Sequence, residues 1–241
     1  YAQGGARVTN PVGLGNKALI ALGDTSGYVG QLTDPIINQM TRHLAASGGS
    51  FKSGELVTVM AGANDLFMTL AAVQAGGATS DQALVAMGTA GAELAAYVKS
   101  LVVAKGARHV VVVNLPDVSK TPLGVAAGPA SQASIAGLAS TFNIKLAEGL
   151  VGVDEVLIVD GFAALGNYAS NPAAFGISNV TTPACDLTKT IFASSLVCSA
   201  ATLRAGDVSA YLFADTVHPG PIGYKLIADL VKQSMSKRGW I

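Results

Sequence analysis

Charge is scarce in this sequence, and neither sign is in excess. Only 12% of the 241 residues are charged, and 15 Lys and Arg balance 15 Asp and Glu. There is no basic stripe of the kind that neutralises phosphates, which argues against nucleic acid as a partner. Half of the residues are hydrophobic, so disorder is disfavoured and the chain can bury the core of one domain of ordinary size.

Long hydrophobic runs are also absent. The longest apolar stretches, such as "HVVVVNLP" and "ALIALG", fall far short of the roughly 20 residues that a membrane helix needs. The sequence therefore predicts no transmembrane segment.

Cysteine is rare, with Cys185 and Cys198 both in the polar stretch "TTPACDLTKTIFASSLVCSAAT". The pair lacks the CxxC spacing of zinc or redox sites and has no histidine near it in sequence. This pattern favours a disulfide that closes a loop, and hence an oxidising compartment. Two unpaired cysteines under a loop are the alternative.

Strand and helix patterns alternate along the chain. Buried runs typical of parallel strands lie at 55–61, 108–117 and 154–161. Helical patterns lie at 31–47, 79–107, 129–152 and 221–239. The second of these has a capping box at Thr79 and Gln82 and a stop at Gly106, and Pro221 suits the first turn of the last. The alternation predicts an α/β fold, a three-layer α/β/α sandwich with a central parallel sheet.

Polar residues follow the strands, where ligands of open parallel sheets bind. Asn64, in "GANDLF", comes directly after the first strand. Its amide is a candidate donor to an oxyanion, and an Asx turn is the alternative. Asp215 and His218 lie in "DTVHP", before the last helix. A carboxylate beside an imidazole fixes the tautomer that a general base needs, although the pair alone also suits a solvated loop.

Three motifs together resemble blocks of the GDSL, or SGNH, hydrolase superfamily, in the family's order. "YAQGGARV" at 1–8 resembles the second block, "GANDLF" at 62–67 the third, and "DTVHP" at 215–219 the fifth. The resemblance spans nearly the whole chain. It implies a flavodoxin-like SGNH fold and a serine ester hydrolase of the carboxylesterase or lipase type.

The resemblance also implies roles for particular residues. His218 would be the general base, and Asp215 would orient it. The oxyanion would be held by the Asn64 amide, by a backbone N–H of Gly4 or Gly5, and by the N–H of the nucleophilic serine. The substrate would be an ester, and no cofactor or metal would be needed.

A further likeness concerns the cellular location. "VVVNLPDVSKTP" and the segment 166–208, which contains Cys185 and Cys198, resemble the secreted bacterial branch of the family. We therefore expect a secreted, periplasmic or cell-surface protein, in which 166–208 is a disulfide-containing insertion within one domain at 1–241.

The nucleophile is the point at which this sequence departs from the family. "GDTS" at 23–26 follows the second block instead of preceding it, and Thr25 occupies the family's serine position. We expect the Gly-Asp-Ser block and the first strand to lie before Tyr1, on an N-terminal fragment of the same precursor that stays bound. A lost segment and an intact enzyme that uses Ser26 are the alternatives.

Other function classes are less well supported. A non-catalytic SGNH-fold binding or scaffold domain would explain the missing block but not the presence of Asn64, Asp215 and His218. "GLGNKA" at 13–18 matches a dinucleotide fingerprint but lacks the required preceding strand. No histidine spacing indicates a metal site. We expect His43 on the surface at the end of a helix, and His109 in a structural role at the start of a strand.

Overall fold

A computed structural model describes residues 1–13, 33–190 and 195–241, and its strands form one parallel sheet. The strands are β1 (Leu56–Met60), β2 (His109–Val113) and β3 (Val156–Val159), in the order β1-β2-β3. Leu56 is paired with His109, and Val110 with Val156. The predicted α/β class with a parallel sheet is confirmed.

The central strand shows that both faces of the sheet are covered. Val110 to Val112 are 0% exposed and Val113 is 7% exposed, although successive side chains of a strand point to opposite faces. Such a continuous β-branched run is typical of a parallel strand between two layers. It fits the predicted α/β/α arrangement. Strand β1, which lies at the edge of the sheet formed by the described residues, differs because its Leu56 and Met60 are about half exposed, at 48% and 51%.

Seven α-helices lie in the described part of the chain, and none of them is both long and apolar enough to cross a membrane. Their bounds are α1 (Ile36–Ala46), α2 (Ala63–Gln74), α3 (Ser80–Tyr97), α4 (Pro122–Ala126), α5 (Pro129–Gly149), α6 (Gly161–Ser170) and α7 (Pro221–Arg238).

The predicted start of α3 is confirmed, and Gly106 ends the helical stretch that continues from it. The Thr79 hydroxyl accepts from the Gln82 backbone N–H at 3.2 Å, and the Gln82 side chain accepts from the Thr79 N–H at 2.9 Å. After Tyr97 the helix continues as a π-helical segment, Val98–Val102, and a 3-10 turn, Val103–Lys105, before Gly106.

Apart from the end of α3, two helix boundaries differ from the sequence prediction by three residues or more. Helix α1 begins at Ile36, several residues after the predicted position 31, because Pro35 occupies the N-cap with extended backbone. Helix α5 ends at Gly149 instead of residue 152. Helix α7 begins at Pro221, as predicted.

The described chain falls into two compact units. The first contains Tyr1–Leu115 and Gly137–Val159, and therefore the sheet. The second contains Pro116–Ala136 and Asp160–Ile241. The core of the first includes the fully buried side chains Leu66, Met87, Leu94, Phe142 and Leu146, and that of the second is formed around Tyr168, Ile177, Leu212 and Phe213.

The segment 166–208 begins within α6 and contains the predicted disulfide between Cys185 and Cys198. Part of the segment runs beside residues 210–214. The Ser178 N–H donates to Ala210 O at 2.9 Å, and the Ala184 N–H donates to Phe213 O at 2.9 Å. These backbone hydrogen bonds order a stretch that has little regular secondary structure.

Candidate active site

The turn before α7 brings Asp215 and His218 into contact. The His218 Nδ1 atom lies 2.8 Å from Asp215 Oδ2. Asp215 Oδ1 accepts the backbone N–H groups of Val217 at 2.9 Å and His218 at 2.7 Å. The Ala214 N–H closes the turn by donating to His218 O at 2.8 Å. Because Nδ1 faces the carboxylate, the other ring nitrogen, Nε2, is left to exchange a proton with a reactant.

The electrostatics of this pair suit a general base. Burial works to raise the pKa of Asp215, but hydrogen bonds from His218, from Ser195 and from the backbone outweigh it and hold that pKa below its usual range. The hydrogen bond to Asp215 raises the pKa of His218, although desolvation works the other way. A buried anion of this kind stabilises the imidazolium that forms when the ring takes up a proton.

The same turn is tied to the start of α4. The Leu123 N–H donates to Thr216 O at 2.9 Å. Helix α4 is in turn capped by Thr121, whose hydroxyl accepts the Gly124 N–H at 3.2 Å. The motif "VSKTP" that precedes α4 therefore helps to position the Asp215 turn.

A second cluster joins the N-terminal segment to the start of α2. The Asn64 Nδ2 donates to Ala6 O at 2.9 Å. Asp65 Oδ1 accepts from Arg7 Nε at 3.0 Å, and Asp65 Oδ2 accepts the Val8 N–H at 3.0 Å. Ala6, Arg7 and Val8, which follow the two glycines, are thus hydrogen-bonded to Asn64 and Asp65 of α2. The glycine motif and the asparagine motif of the sequence lie together.

The two predicted glycine donors lie just before this contact. Gly4 is exposed, and Gly5 has a φ of 79°, a left-handed conformation that favours glycine. Among the described residues, neither backbone N–H has a hydrogen-bond acceptor.

Gly62 makes the tight connection from β1 to α2 that places Asn64. Its φ is 108°, and the Phe142 ring lies where a side chain would be, with the nearest ring carbon 2.7 Å from an ideal Cβ. Any larger residue would be strained and would displace the ring. Asn64 therefore occupies the first turn of α2, where it is partly buried.

Sequence reasoning missed the buried ion pair of Arg7 and Asp65. Asp65 is 3% exposed. Its burial raises its pKa more than the Val8 and Arg7 contacts lower it. An acidic residue in the first turn of a helix is expected from the helix dipole alone. The one available signal was a single arginine next to the glycine motif.

His43 lies in the last turn of α1, as predicted, but it is less exposed than the predicted surface position implies. It is partly buried, with its ring 5.1 Å from the Tyr1 ring and stacked on the Phe51 ring at 4.5 Å between centroids. Its Nε2 is buried without a hydrogen-bond partner in the described structure. The end of α1 packs against aromatic rings that lie outside the helix, which the helical pattern does not reveal. His109 opens β2, as predicted.

Some candidates lie outside the described residues. These are Thr25, Ser26 and all of the "GLGNKA" motif except Gly13. Over the ranges that the structure describes, no group of three or more His, Cys, Asp or Glu side chains is arranged to hold a metal ion.

Comparison with known families points in the same direction as this geometry. The family model described as GDSL-like Lipase/Acylhydrolase matches residues 1–231. A search of curated proteins finds no match. The matched range includes both clusters described above.

Proposed function

The chain belongs to the GDSL-like lipase/acylhydrolase family, and from that premise we propose that it is a serine ester hydrolase of the carboxylesterase or lipase type. The family supports hydrolysis of esters in general. The observation that carries the finer proposal is the contact between a buried carboxylate, Asp215, and a half-exposed imidazole, His218. This arrangement supplies an oriented general base.

In the proposed reaction, His218 Nε2 takes the proton of a serine hydroxyl as the serine oxygen attacks the ester carbonyl. The resulting tetrahedral oxyanion collapses, the bond to the alcohol breaks, and His218 returns the proton to the leaving alcohol. Water then attacks the acyl-serine with the same base, which releases the acid and restores the serine. Asp215 orients His218 and stays ionised throughout.

We assign the oxyanion to the Asn64 amide, to a backbone N–H of Gly4 or Gly5, and to the N–H of the serine itself. The amide nitrogen of Asn64 carries two hydrogens, and its bond to Ala6 O uses one of them. That bond also fixes the side chain, so the second hydrogen has a set direction before substrate arrives. Such preorganised donors give the largest stabilisation of a developing charge.

We propose that the nucleophilic serine lies on an N-terminal segment of the same precursor, which adds a strand beside β1. The support is that β1 is an edge strand of the described sheet and leaves Leu56 and Met60 half exposed. An edge strand presents unpaired backbone groups and readily accepts another strand. A parallel strand at this edge would end on the same side as the turn that bears Asn64.

We also propose a secreted, periplasmic or cell-surface location. The Cys185–Cys198 disulfide supports it, because structural disulfides persist in oxidising compartments. Expression of the precursor with a C-terminal tag, followed by fractionation, would locate the mature chain.

The nucleophile is tested by labelling the precursor protein with a fluorophosphonate, which bonds covalently to an activated serine. Mass spectrometry of the digested protein then identifies the labelled peptide. We expect a labelled serine in the segment that precedes Tyr1. Label on Ser26 would instead identify an intact enzyme that uses that residue.

The same preparation is assayed with p-nitrophenyl butyrate. Release of p-nitrophenol is expected, and it should be blocked by the fluorophosphonate. Neither label nor hydrolysis, in material that contains the preceding segment, would contradict the esterase proposal and favour a non-catalytic binding domain.

A further inference from the structure

Among the described residues, Ser195 hydrogen-bonds Asp215 from outside the carboxylate's own turn, through its backbone N–H and its side chain. The Ser195 backbone N–H donates to Asp215 Oδ2 at 2.8 Å, and this is the oxygen that faces His218 Nδ1. The other backbone donors to Asp215 are Val217 and His218, which belong to the same turn. Ser195 lies 20 residues earlier in the chain. Its position therefore depends on how the segment that carries it is held.

The disulfide holds that segment. Ser195 begins a 3-10 turn, Ser195–Val197, and the Cys198 N–H donates to Ser195 O at 3.0 Å. Cys198 is bonded to Cys185. The Cys185 N–H donates to Ala214 O, directly before Asp215, at 3.0 Å. A closed path thus runs from Asp215 through Ser195, both cysteines and Ala214 back to Asp215.

Further backbone contacts between described residues hold the base of this segment. The Asp186 N–H donates to Thr202 O at 2.7 Å, and the Arg204 N–H donates to Ala184 O at 2.9 Å. These backbone bonds lie on the far side of Cys198 from Ser195. The disulfide is the covalent link next to the turn that contacts the carboxylate.

We propose that the Cys185–Cys198 disulfide is a positioning element of the ester hydrolase, which holds the Ser195 amide on Asp215 and so keeps this carboxylate aligned with His218. The inference rests on the function proposed for the Asp215–His218 pair. Asp215 is 2% exposed. Loss of a hydrogen-bond donor therefore leaves its buried charge less stabilised unless another donor takes that place. Without the disulfide, the Ser195 turn gains conformational freedom, and water competes with His218 for Asp215 Oδ2.

The first test replaces both cysteines in the precursor protein, as Cys185→Ser with Cys198→Ser. The primary readout is the titration of His218 followed by NMR. We expect the pKa of His218 to fall toward its ordinary value of 6.5. We also expect kcat for p-nitrophenyl butyrate to fall roughly tenfold with little change in KM, the size expected for loss of one hydrogen bond to a charged group.

A matched control in the same segment is Lys189→Ala. It removes an exposed ion pair with Asp186, at 3.2 Å, and the described structure shows no contact between Lys189 and Asp215. Neither the His218 titration nor kcat should change in this variant. An equal effect of Lys189→Ala would mean that general loosening of the segment, and not the disulfide, explains the result.

A second variant tests the amide while the disulfide is kept. Ser195→Pro removes the backbone N–H, and proline is tolerated at the first position of a helical turn. Ser195→Ala keeps the N–H and removes the hydroxyl, so the difference between the two variants reports the amide alone. If the double cysteine variant does not fold, this comparison decides the question.

An unchanged His218 titration in both Ser195→Pro and the folded double cysteine variant would overturn the positioning role. The proposed function can fail separately. If the unmodified precursor hydrolyses no ester, the esterase proposal is wrong, and the His218 titration still shows whether the disulfide positions Asp215.

Discussion

Asp215 and His218 share a hydrogen bond of 2.8 Å but differ sharply in exposure. The Asp215 carboxylate is buried, whereas 55% of the His218 side chain is exposed. The ring is therefore fixed on its Nδ1 side by a desolvated charge, and more than half of it is open to solvent or substrate. A general base needs both properties, a fixed tautomer and access to the reacting group.

Replacing His218 by alanine should abolish ester hydrolysis and leave the fold intact. Loss of a triad residue lowers kcat by roughly four to six orders of magnitude. Because the side chain is largely exposed, the melting temperature should change little. Steady-state hydrolysis of p-nitrophenyl butyrate and a thermal melt are the measurements. Lys225→Ala, an exposed change in α7, is the control, and retained activity in His218→Ala would disprove the assignment.

Asp215→Asn tests orientation without removing the side chain. An amide cannot supply the charge that raises the pKa of His218, so this pKa should fall. The kcat should drop by about 10,000-fold, because the ring is no longer held in the productive tautomer. NMR titration of His218 and single-turnover kinetics are the measurements. An unchanged His218 titration would show that the contact does not operate in solution.

The pH profile of kcat/KM should have an acid limb set by His218. The ring acts as a base when it is neutral, so activity is lost as pH falls through its pKa. Because Asp215 raises that pKa above 6.5, the loss should begin at a higher pH than for an ordinary imidazole. An acid limb with its midpoint below pH 6.5 would contradict the contact between Asp215 and His218.

The same two groups predict how stability depends on pH. The raised pKa of His218 gives a contribution that is present below about 6.5 and is lost as pH rises through the folded-state value. The lowered pKa of Asp215 gives a contribution that is present above about 4 and is lost as pH falls toward the folded-state value. Urea unfolding across this range measures both.

The parts of the fold that the sequence predicted well are those with local causes. The Thr79 cap and the β-branched run at 110–113 are properties of a few neighbouring residues, and both elements lie where they were expected. Asp215 and His218 belong to one short turn, so their contact also follows from local spacing.

The missed features depend on contacts between distant positions. Arg7 and Asp65 are 58 residues apart. The Ser195 donor is a backbone N–H, and every residue except proline carries one. His43 is less exposed than expected because its aromatic neighbours lie outside its helix. Apart from the arginine next to the glycine motif, none of these relations leaves a periodic or motif signal in the sequence.

Asn64→Ala should separate catalysis from stability. Loss of one oxyanion donor costs about 100-fold to 1,000-fold in kcat. Loss of the bond to Ala6 O costs only about 1 kcal/mol of unfolding free energy. Hydrolysis kinetics should therefore show a large loss of kcat, and urea unfolding should show only a small loss of stability. The exposed change Gln74→Ala at the end of α2 is the control, and an Asn64→Ala enzyme with an unchanged rate would refute the oxyanion role.

Asp65→Asn should destabilise the first unit, because it leaves the Arg7 guanidinium largely buried without its partner. Their side chains are 19% and 5% exposed, and breaking a buried pair costs about 3 kcal/mol. The more exposed pair of Arg42 and Asp34, at 2.9 Å and with side chains 43% and 21% exposed, is a control, and Arg42→Ala should cost less than about 1 kcal/mol. Urea unfolding measures both.

The raised pKa of Asp65 leads to a second expectation. Burial destabilises the charged carboxylate by more than its contacts with Val8 and Arg7 stabilise it. Adding Arg7→Met to Asp65→Asn removes the unpaired charge, and the side-chain amide oxygen that replaces the carboxylate can still accept the Val8 N–H. The double variant should therefore recover most of the stability that Asp65→Asn loses. Strictly additive losses in the double-mutant cycle would show that Arg7 and Asp65 act independently, and that the ion pair does not hold the glycine segment on α2.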